Sequence, residues 1–496
     1  MKPFLSAISL LLGLITHAQV DSTLKIPDSA TRQDNIRITN RVIYDSSIID
    51  NRPKNIYGDL LDDDPAYNPR YPVLSTAFRV AMVNVVSWAS SRYIYNFDWA
   101  RISSTTWKNN LKARWVWDDD RFGTNFIGHP HSGNLYFNVA RSNGYSYWKS
   151  LPYAIGGSLM WEYFGENTGP SKNDLINTPF SGMFLGEVLY RISSNILDDR
   201  ARGSNRVWRE LLAGIINPPR AMNRLTQGKM FRVTSKEVYQ KEPLNITFAA
   251  GAHRVNENNK FGSGTTTGIF NLQFDYGDPF EVRKRKPFDV FRLRLESRYG
   301  PETKFLDNVT GYGMLLGKNV VRGHGLIGGF QYFDYWNNRV FEMGSLGFGA
   351  GLISRIPLPK KSFLYSSVHI AAVPLSAHKT NFGANNSPFR DYKFAGGFEA
   401  KIEETLNINK FASIGLNAYY YWTHNYEDDP GRSSIAIIKP RATLKLFGNT
   451  SLGFEHHVYF VDEYLKNVST LKLKRTEQKI FLQVFFEDGK RKGQYN

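Results

Sequence analysis

The sequence predicts an α+β protein in which a helical domain precedes an antiparallel β-barrel of the outer-membrane type, with about twelve strands. Three observations support this: an apolar N-terminal segment, helical spacing of apolar residues before about residue 230, and alternation of apolar and charged residues after it. Aromatic residues make up 14% of the chain and charged residues 22%. Membrane barrels combine such compositions because alternate side chains face lipid and water.

The N-terminus predicts export. Lys2 is followed by an apolar run from Phe4 to Ile15 and then by Thr16-His17-Ala18, a small-residue end that suits a signal peptidase. A run of about a dozen residues is too short to span a bilayer, which needs about twenty. Residues 1–18 are therefore predicted to be a cleaved signal peptide, and the mature chain is expected at the outer membrane.

Composition excludes several classes of protein. Cysteine is absent, which rules out disulfides, thiolate zinc sites and iron–sulfur clusters. The net charge of +17 suits anionic partners, and an exported chain without a nucleic-acid-binding motif is not expected to meet nucleic acid. Outer-membrane lipids, anionic lipid headgroups and phosphorylated glycolipids are the expected partners. The alternative is lumen and loop charge without a ligand.

Residues 19–71 are polar and aperiodic, which predicts a linker or an N-terminal segment that packs on the rest. Residues 72–230 predict a helical domain. Its expected helices lie at Phe78–Trp88, around Trp107 to Trp115, and at about 126–142, 151–165, 179–197 and 204–215. Thr178 and Pro179 look like the N-cap and first turn of one of them. No segment after Gln19 is expected to combine comparable apolar character with spanning length.

Residues 231–496 predict the transmembrane barrel. In one segment Phe291, Leu293 and Leu295 alternate with Arg292 and Arg294. About twelve alternating segments are expected to be strands, at roughly 244, 264, 288, 304, 321, 341, 362, 390, 409, 433, 450 and 475. A soluble β domain would also alternate, but strands of ten to fourteen residues with charged inner faces favour a membrane barrel.

The helical domain contains the densest cluster of reactive residue types. The candidate catalytic residues are His129, His131, Glu162, Glu166 and Asp174. The candidate ligand-binding residues are Tyr136, Arg141, Ser171, Lys172, Asn173 and Glu187. Carboxylates among apolar residues are expensive to bury unless they are paired or protonated, so their presence indicates a site.

Two chemistries suit these residues. Histidine and glutamate could hold a divalent metal, or they could serve as a base and its orienting partner for water or serine. The structural alternative is a set of buried ion pairs that fix helix packing, such as Glu162 or Glu187 with Arg141 or Arg191. The sequence leaves the cofactor, the metal and the existence of enzymatic activity open.

Two further patterns favour turns over binding sites. The segment from Gly169 to Asp174 could bind an anion through Lys172 and its backbone donors, although a turn with a helix cap is favoured. Asp118, Asp119 and Asp120 lack the spacing of a calcium loop. Because three adjacent carboxylates are not expected to converge, a solvated turn is the preferred interpretation.

The motifs of the helical domain resemble a known family. From about Trp107 to Lys229 they read GHPHSGNLYFNVAR, SLMWEYFGE, SKNDLINTPFSGMFLGE and INPPRAMNRLTQG. In this order they resemble domain-of-unknown-function family 3943, which is found in bacterial envelope proteins. The resemblance implies an envelope location and assigns no activity.

These observations lead to two functional hypotheses. In the first, the helical domain plugs the barrel or lies at its periplasmic mouth, and its polar site binds or acts on envelope lipid or glycolipid. In the second, the protein is a non-catalytic structural or transport barrel whose polar cluster only stabilises helix packing.

Overall fold

The computed structural model describes residues 68–487, apart from 236, 257–259, 301–304, 381–391, 427–430 and 466–469. The predicted signal peptide, residues 1–18, lies outside the described residues, as does the predicted linker up to residue 67.

Seven α-helices are present among the described residues. They are α1 (Val73–Ala89), α2 (Ser104–Lys112), α3 (His129–Ser142), α4 (Tyr147–Phe164), α5 (Lys172–Ile196), α6 (Gly203–Ile216) and α7 (Pro218–Thr226). Helix α5 begins at Lys172, with Ser171 as its N-cap, and Pro179 lies inside it. The predicted start at Thr178 is therefore wrong. Proline removes one backbone donor, and α5 continues across that position.

Helix α1 is longer than the sequence analysis expected. A π-helical turn, Ser90–Ile94, extends it to a 22-residue segment with a mean hydropathy of 1.3 over its most apolar window. At about 1.5 Å per residue this segment is roughly 33 Å long, close to the thickness of a bilayer core. The expectation that no segment after the N-terminus reaches spanning length is therefore wrong.

The described residues also contain twelve antiparallel strands that form a closed barrel. These are β1 (Leu244–Val255), β2 (Thr266–Tyr276), β3 (Phe291–Tyr299), β4 (Leu306–Val320), β5 (Gly325–Asn337), β6 (Phe341–Leu358), β7 (Ser362–Thr380), β8 (Lys393–Ile408), β9 (Ala412–Asn425), β10 (Gly431–Phe447), β11 (Thr450–Leu465) and β12 (Leu471–Phe486). Each strand pairs with its neighbours in sequence, and β1 pairs with β12, with Ile246 opposite Phe486. The predicted α+β fold and strand number are confirmed.

Charged side chains of the barrel meet across its lumen. Arg292 on β3 lies 2.7 Å from Glu403 on β8, and Arg298 on β3 lies 3.1 Å from Glu477 on β12. These strands are not neighbours in the sheet, so the pairs can form only through the interior. The charged face predicted from the alternation is therefore the lumen face, and the apolar face is the outer one.

The helical domain packs against the outer face of the barrel. Phe184 of α5 stacks on Phe333 of β5 with the ring centroids 5.8 Å apart. The hydroxyl of Tyr147 on α4 donates to Gln331 Oε1 at 3.0 Å. Gln331 and Phe333 lie two positions apart on β5 and so share one face. Asp334 lies on the other face and contacts Lys401 across the lumen. Because side chains alternate between the two faces of a strand, these helices lie on the outer wall.

These contacts extend from the rim where β1 begins to the opposite rim. At the first rim Asn195 donates to the backbone carbonyl of Glu242, 2.8 Å away. At the other rim Trp117 stacks on Phe394 with the ring centroids 5.0 Å apart. Of the two positions left open by the sequence, the plug is wrong because the helices contact outer-face residues of the barrel. The helical domain also contacts both rims along the outer wall of the barrel, so it is not confined to one mouth.

Candidate functional site

The candidate site lies at one end of the helical domain, where the N-termini of α3 and α5 meet the end of α4. His129 is the first residue of α3, and Asp174 lies in the first turn of α5. The segment before α3 contributes Asp118 and Asp120. Tyr392 of the barrel donates its hydroxyl to the backbone carbonyl of Asp120 at 2.7 Å. The site is therefore fixed beside the barrel rim at the start of β8.

A histidine faces several carboxylates at the centre of the site. His129 Nε2 lies 3.4 Å from Asp174 Oδ1 and 3.6 Å from Asp120 Oδ2. His129 Nδ1 lies 3.3 Å from the hydroxyl of Thr178. Among the described residues, the buried Nε2 atom has no hydrogen-bond partner.

Asp118 and Asp120 converge on the same histidine. One potential ligand atom from each of Asp118, Asp120 and His129 lies within 4.8 Å of the other two. Asp119 is exposed and, among the described residues, is not part of this group. The expectation that these adjacent carboxylates do not converge is therefore wrong for Asp118 and Asp120, although Asp120 is exposed to solvent. The backbone N–H of Asp120 donates to Asp118 Oδ1 at 3.3 Å, which holds the two aspartates together.

Two buried asparagines orient the carboxylates. Asn125 donates to Asp118 Oδ1 at 2.7 Å. Asn173 donates to Asp118 Oδ2 at 3.0 Å and to Asp174 Oδ1 at 2.9 Å. Asn173 was among the candidates, whereas Asn125 was missed because nothing in its local sequence distinguishes it from a turn residue.

Glu162 lies beside this group and is almost fully buried. Its side chain accepts a hydrogen bond from the backbone N–H of Ser171 at 2.7 Å. Burial raises the pKa of Glu162 to about 7, although the N–H of Ser171 and His129 oppose this rise. Burial also raises the pKa of the partly buried Glu166 well above its ordinary value, and the charge of Glu162 adds to the rise.

The pKa values of Asp174 and His129 reflect the same accumulation of negative charge. Burial raises the pKa of Asp174 well above its ordinary value, and the charges of Asp118 and Glu162 raise it further. Burial alone would lower the pKa of His129, but Asp120, Asp118 and Glu162 raise it overall. An added positive charge would relieve the repulsion among these carboxylates.

The geometry fits a divalent cation. Two ligand atoms about 2.1 Å from a tetrahedral metal lie about 3.4 Å apart, close to the distances from His129 Nε2 to Asp174 and Asp120. One imidazole with several carboxylates suits zinc and manganese, and the carboxylates alone suit magnesium. Asp118, Asp120 and His129, joined by Asp174, would be the ligands.

Several predicted residues lie outside this group of ligands. His131 follows His129 by two positions and so lies about 200° further around α3. Tyr136 donates to Asn84 of α1. Lys172 lies over the ring of Trp117, with its ammonium 5.7 Å from the ring centroid. Ser171 enters the site through its backbone N–H.

Arg141 and Glu187 belong to a separate ion network. Arg141 Nε and Arg191 Nε each lie 2.8 Å from a carboxylate oxygen of Glu187. Arg191 also lies 3.2 Å from Asp289, which precedes β3. Glu187 thus pairs with both arginines named in the structural alternative, and the network connects the helices to the barrel.

A basic cavity forms elsewhere in the helical domain. It is lined by Asn68, Ser142, Tyr190, Arg220, Arg224, Lys229, Arg232, Val238 and Tyr239. Arg224 and Arg232 both contact Asp199, at 2.9 and 2.7 Å. Arg220 donates to the hydroxyls of Ser193 and Ser194. These arginines therefore form ion pairs and hydrogen bonds that hold the domain together, and the cavity is not treated as a binding site.

The fold and the site together define a class of protein: a closed antiparallel β-barrel with a helical domain on its outer wall that contains a histidine–carboxylate cluster. Residues 114–219 match the family described as a domain of unknown function, DUF3943. That range includes the ligands of the candidate site and its two orienting asparagines.

Several solved structures are similar to about half of the chain. An outer membrane channel from Pseudomonas putida F1 is 10% identical, with 49% of this chain and 95% of that chain covered and a TM-score of 0.27. The β domain of the Bordetella autotransporter BrkA is 12% identical, with 49% of this chain and 99% of that chain covered and a TM-score of 0.20. An anion-selective porin from Comamonas acidovorans is 9% identical, with 49% of this chain and 98% of that chain covered and a TM-score of 0.19. Such low TM-scores assign no activity to this chain. No curated protein matches the sequence.

Proposed function

We propose that this protein resides in the outer membrane and binds or acts on anionic envelope lipid or glycolipid through a divalent cation held by its helical domain. The observation that carries the proposal is the arrangement around His129. Its Nε2 atom is buried and lies within 3.6 Å of two carboxylates, without a hydrogen-bond partner among the described residues. A cation between these groups would satisfy all of them.

The barrel surface supports membrane residence. Large apolar side chains are exposed on the outer faces of several strands, including Ile370 on β7 at 61%, Ile414 on β9 at 56% and Ile480 on β12 at 59%. Water-exposed strands rarely carry so many apolar residues on one face, whereas membrane barrels require them.

The position and opening of the site support a headgroup ligand. The side chain of Asp120 is 53% exposed, so one side of the site is open to solvent. The site contacts the barrel rim through Tyr392, the level at which headgroups would surround a membrane barrel. A cation with protein ligands on one side keeps positions for phosphate or carboxylate oxygens on the other.

A transport function is less well supported. Arg292 and Arg294 of β3 both contact Glu403 on β8, so ion pairs cross the lumen. Such contacts restrict the path that a solute would need.

Cation binding by the purified, detergent-solubilised protein tests the proposal. Titration calorimetry with Mn²⁺ and Zn²⁺ should detect one saturable site. His129→Gln and Asp118→Asn should each abolish the binding, and Asp119→Asn, the exposed neighbour, should leave it unchanged. The proposal is wrong if neither ion binds, or if His129→Gln binds as tightly as the wild type.

The lipid part of the proposal needs its own readout. Cells that express His129→Gln with normal amounts of folded barrel should differ from the wild type in the composition of their envelope lipids or glycolipids. An unchanged lipid profile in a variant that has lost cation binding would refute the lipid function and leave the cation site intact.

A further inference from the structure

We infer that the helical domain is embedded in the bilayer beside the barrel, with the exposed apolar faces of α1, α6 and α7 in contact with lipid acyl chains. This inference rests on the proposed membrane residence of the barrel and on the packing of the helices, and it does not depend on the proposed cation site.

Helix α1 exposes its large apolar side chains and buries polar ones, the reverse of the pattern on a water-soluble protein. It buries Thr76, Val80 and Asn84, while Leu74 is 83% exposed and Phe78 is 66% exposed. In water the apolar stripe of an amphipathic helix is the buried one. Only 17% of the most apolar window of this segment is buried.

Helices α6 and α7 extend the same apolar surface. Their exposed large apolar residues are Val207, Trp208, Leu211, Ile215, Met222 and Leu225. Arg79 of α1 donates to Asn223 and Thr226 of α7, both at 2.8 Å, which places α1 beside α7. Contiguous apolar surfaces of this kind mark interaction sites rather than ordinary solvent-exposed surface.

Buried amide side chains join the helices of the domain, in addition to its apolar core. Asn84 of α1 donates to the backbone carbonyl of Gly157 on α4, and Asn138 of α3 donates to that of Gly186 on α5, both at 3.0 Å. Asn217 donates to Asn138 at 2.8 Å. Interhelical hydrogen bonds from amide side chains are typical of helices that associate within a membrane.

Small residues allow the helices to approach closely. A Cβ atom on Gly133 of α3 would collide with the backbone of Thr178 on α5, and one on Gly182 would collide with the backbone of Gly133. Close backbone contact at small residues is the second feature of helix packing in lipid, where apolar burial supplies little driving force.

The apolar outer face of the barrel is continuous with the helical domain. On β5, Ile327 is 43% exposed, whereas Phe333 on the same face is covered by α5. On β7, Ile370 is exposed and Leu375 is covered. A bilayer that surrounds the exposed part of these strands would therefore meet the edge of the helical domain directly, which makes lipid the occupant of its apolar face.

Site-directed spin labelling in vesicles of phosphatidylcholine and phosphatidylglycerol tests this placement. The chain has no cysteine, so single cysteines label specifically. The helical variants are Phe78→Cys, Val86→Cys and Trp208→Cys. Ile370→Cys on the barrel wall provides the lipid reference, and Lys361→Cys in the turn between β6 and β7 provides the water reference.

Collision with oxygen, which partitions into lipid, is compared with collision with a water-soluble nickel chelate. The three helical labels should match Ile370→Cys, with high oxygen and low nickel accessibility. Nickel accessibility equal to that of Lys361→Cys would overturn the inference. Spin–spin broadening that disappears on dilution with unlabelled protein would overturn it as well, because a second copy would then cover the face.

Discussion

Replacing Glu187 with glutamine should destabilise the junction between the helices and the barrel. Glu187 is fully buried and lies 2.8 Å from both Arg141 and Arg191. Two charges 4 Å apart interact by about 4 kcal/mol at an effective dielectric constant of 20. Arg191 would keep Asp289 as a partner. Among the described contacts, Arg141 would keep only the carbonyl of Tyr145 and the ring of Tyr190.

One buried guanidinium would thus lose its counter-charge, which costs about 3–5 kcal/mol. Equilibrium urea unfolding in detergent, followed by tryptophan fluorescence, measures this difference. Asp198→Asn is the control, since its partner Arg200 is 47% exposed and the loss should be at most about 1 kcal/mol. Adding Arg141→Met to Glu187→Gln should restore most of the stability. A Glu187→Gln protein as stable as the control would refute this reasoning.

Three other predictions follow from the packing and the site. Gly344→Ala should destabilise the protein by about 1–3 kcal/mol in the same assay, because its Cβ would collide with the Phe126 ring; Gly329→Ala, which meets only ordinary contacts, should not. Asn125→Ala should weaken Mn²⁺ binding roughly 10–100-fold in calorimetry, since Asn125 orients Asp118, and unchanged affinity would count against that role. Glu403→Ala should raise single-channel conductance in planar bilayers by breaking the pairs across the lumen; equal conductance would show that they do not restrict the pore.

The strands could be predicted because their signal is local. Alternation along a segment such as Phe291–Tyr299 requires only that one face avoids water and the other meets it. The same property explains why the position of the helical domain could not be predicted. An outer-face residue such as Phe333 has the same apolar character whether it meets lipid or a helix, and only the fold shows which.

The candidate site could be predicted in part. The sequence indicates His129 because it lies at the start of a predicted helix, and Asp174 because it is a carboxylate in the polar loop between two predicted helices. Asp118 was assigned to a solvated turn, because its place in the site depends on hydrogen bonds from Asn125 and from Asn173, which lies 55 residues further along the chain. Such a contact between distant segments leaves no trace in local spacing.

Cross-linking between helix α5 and strand β5 tests the central claim, that the helical domain lies on the outer wall of the barrel. In the cysteine-free chain, the pair Phe184→Cys and Phe333→Cys should react with a short bifunctional thiol reagent, whereas Phe184→Cys with Asp334→Cys should not. The two pairs differ from each other by a single position on β5, so they distinguish the two faces of that strand. Efficient cross-linking of the second pair without the first would place the helices in the lumen and contradict the account.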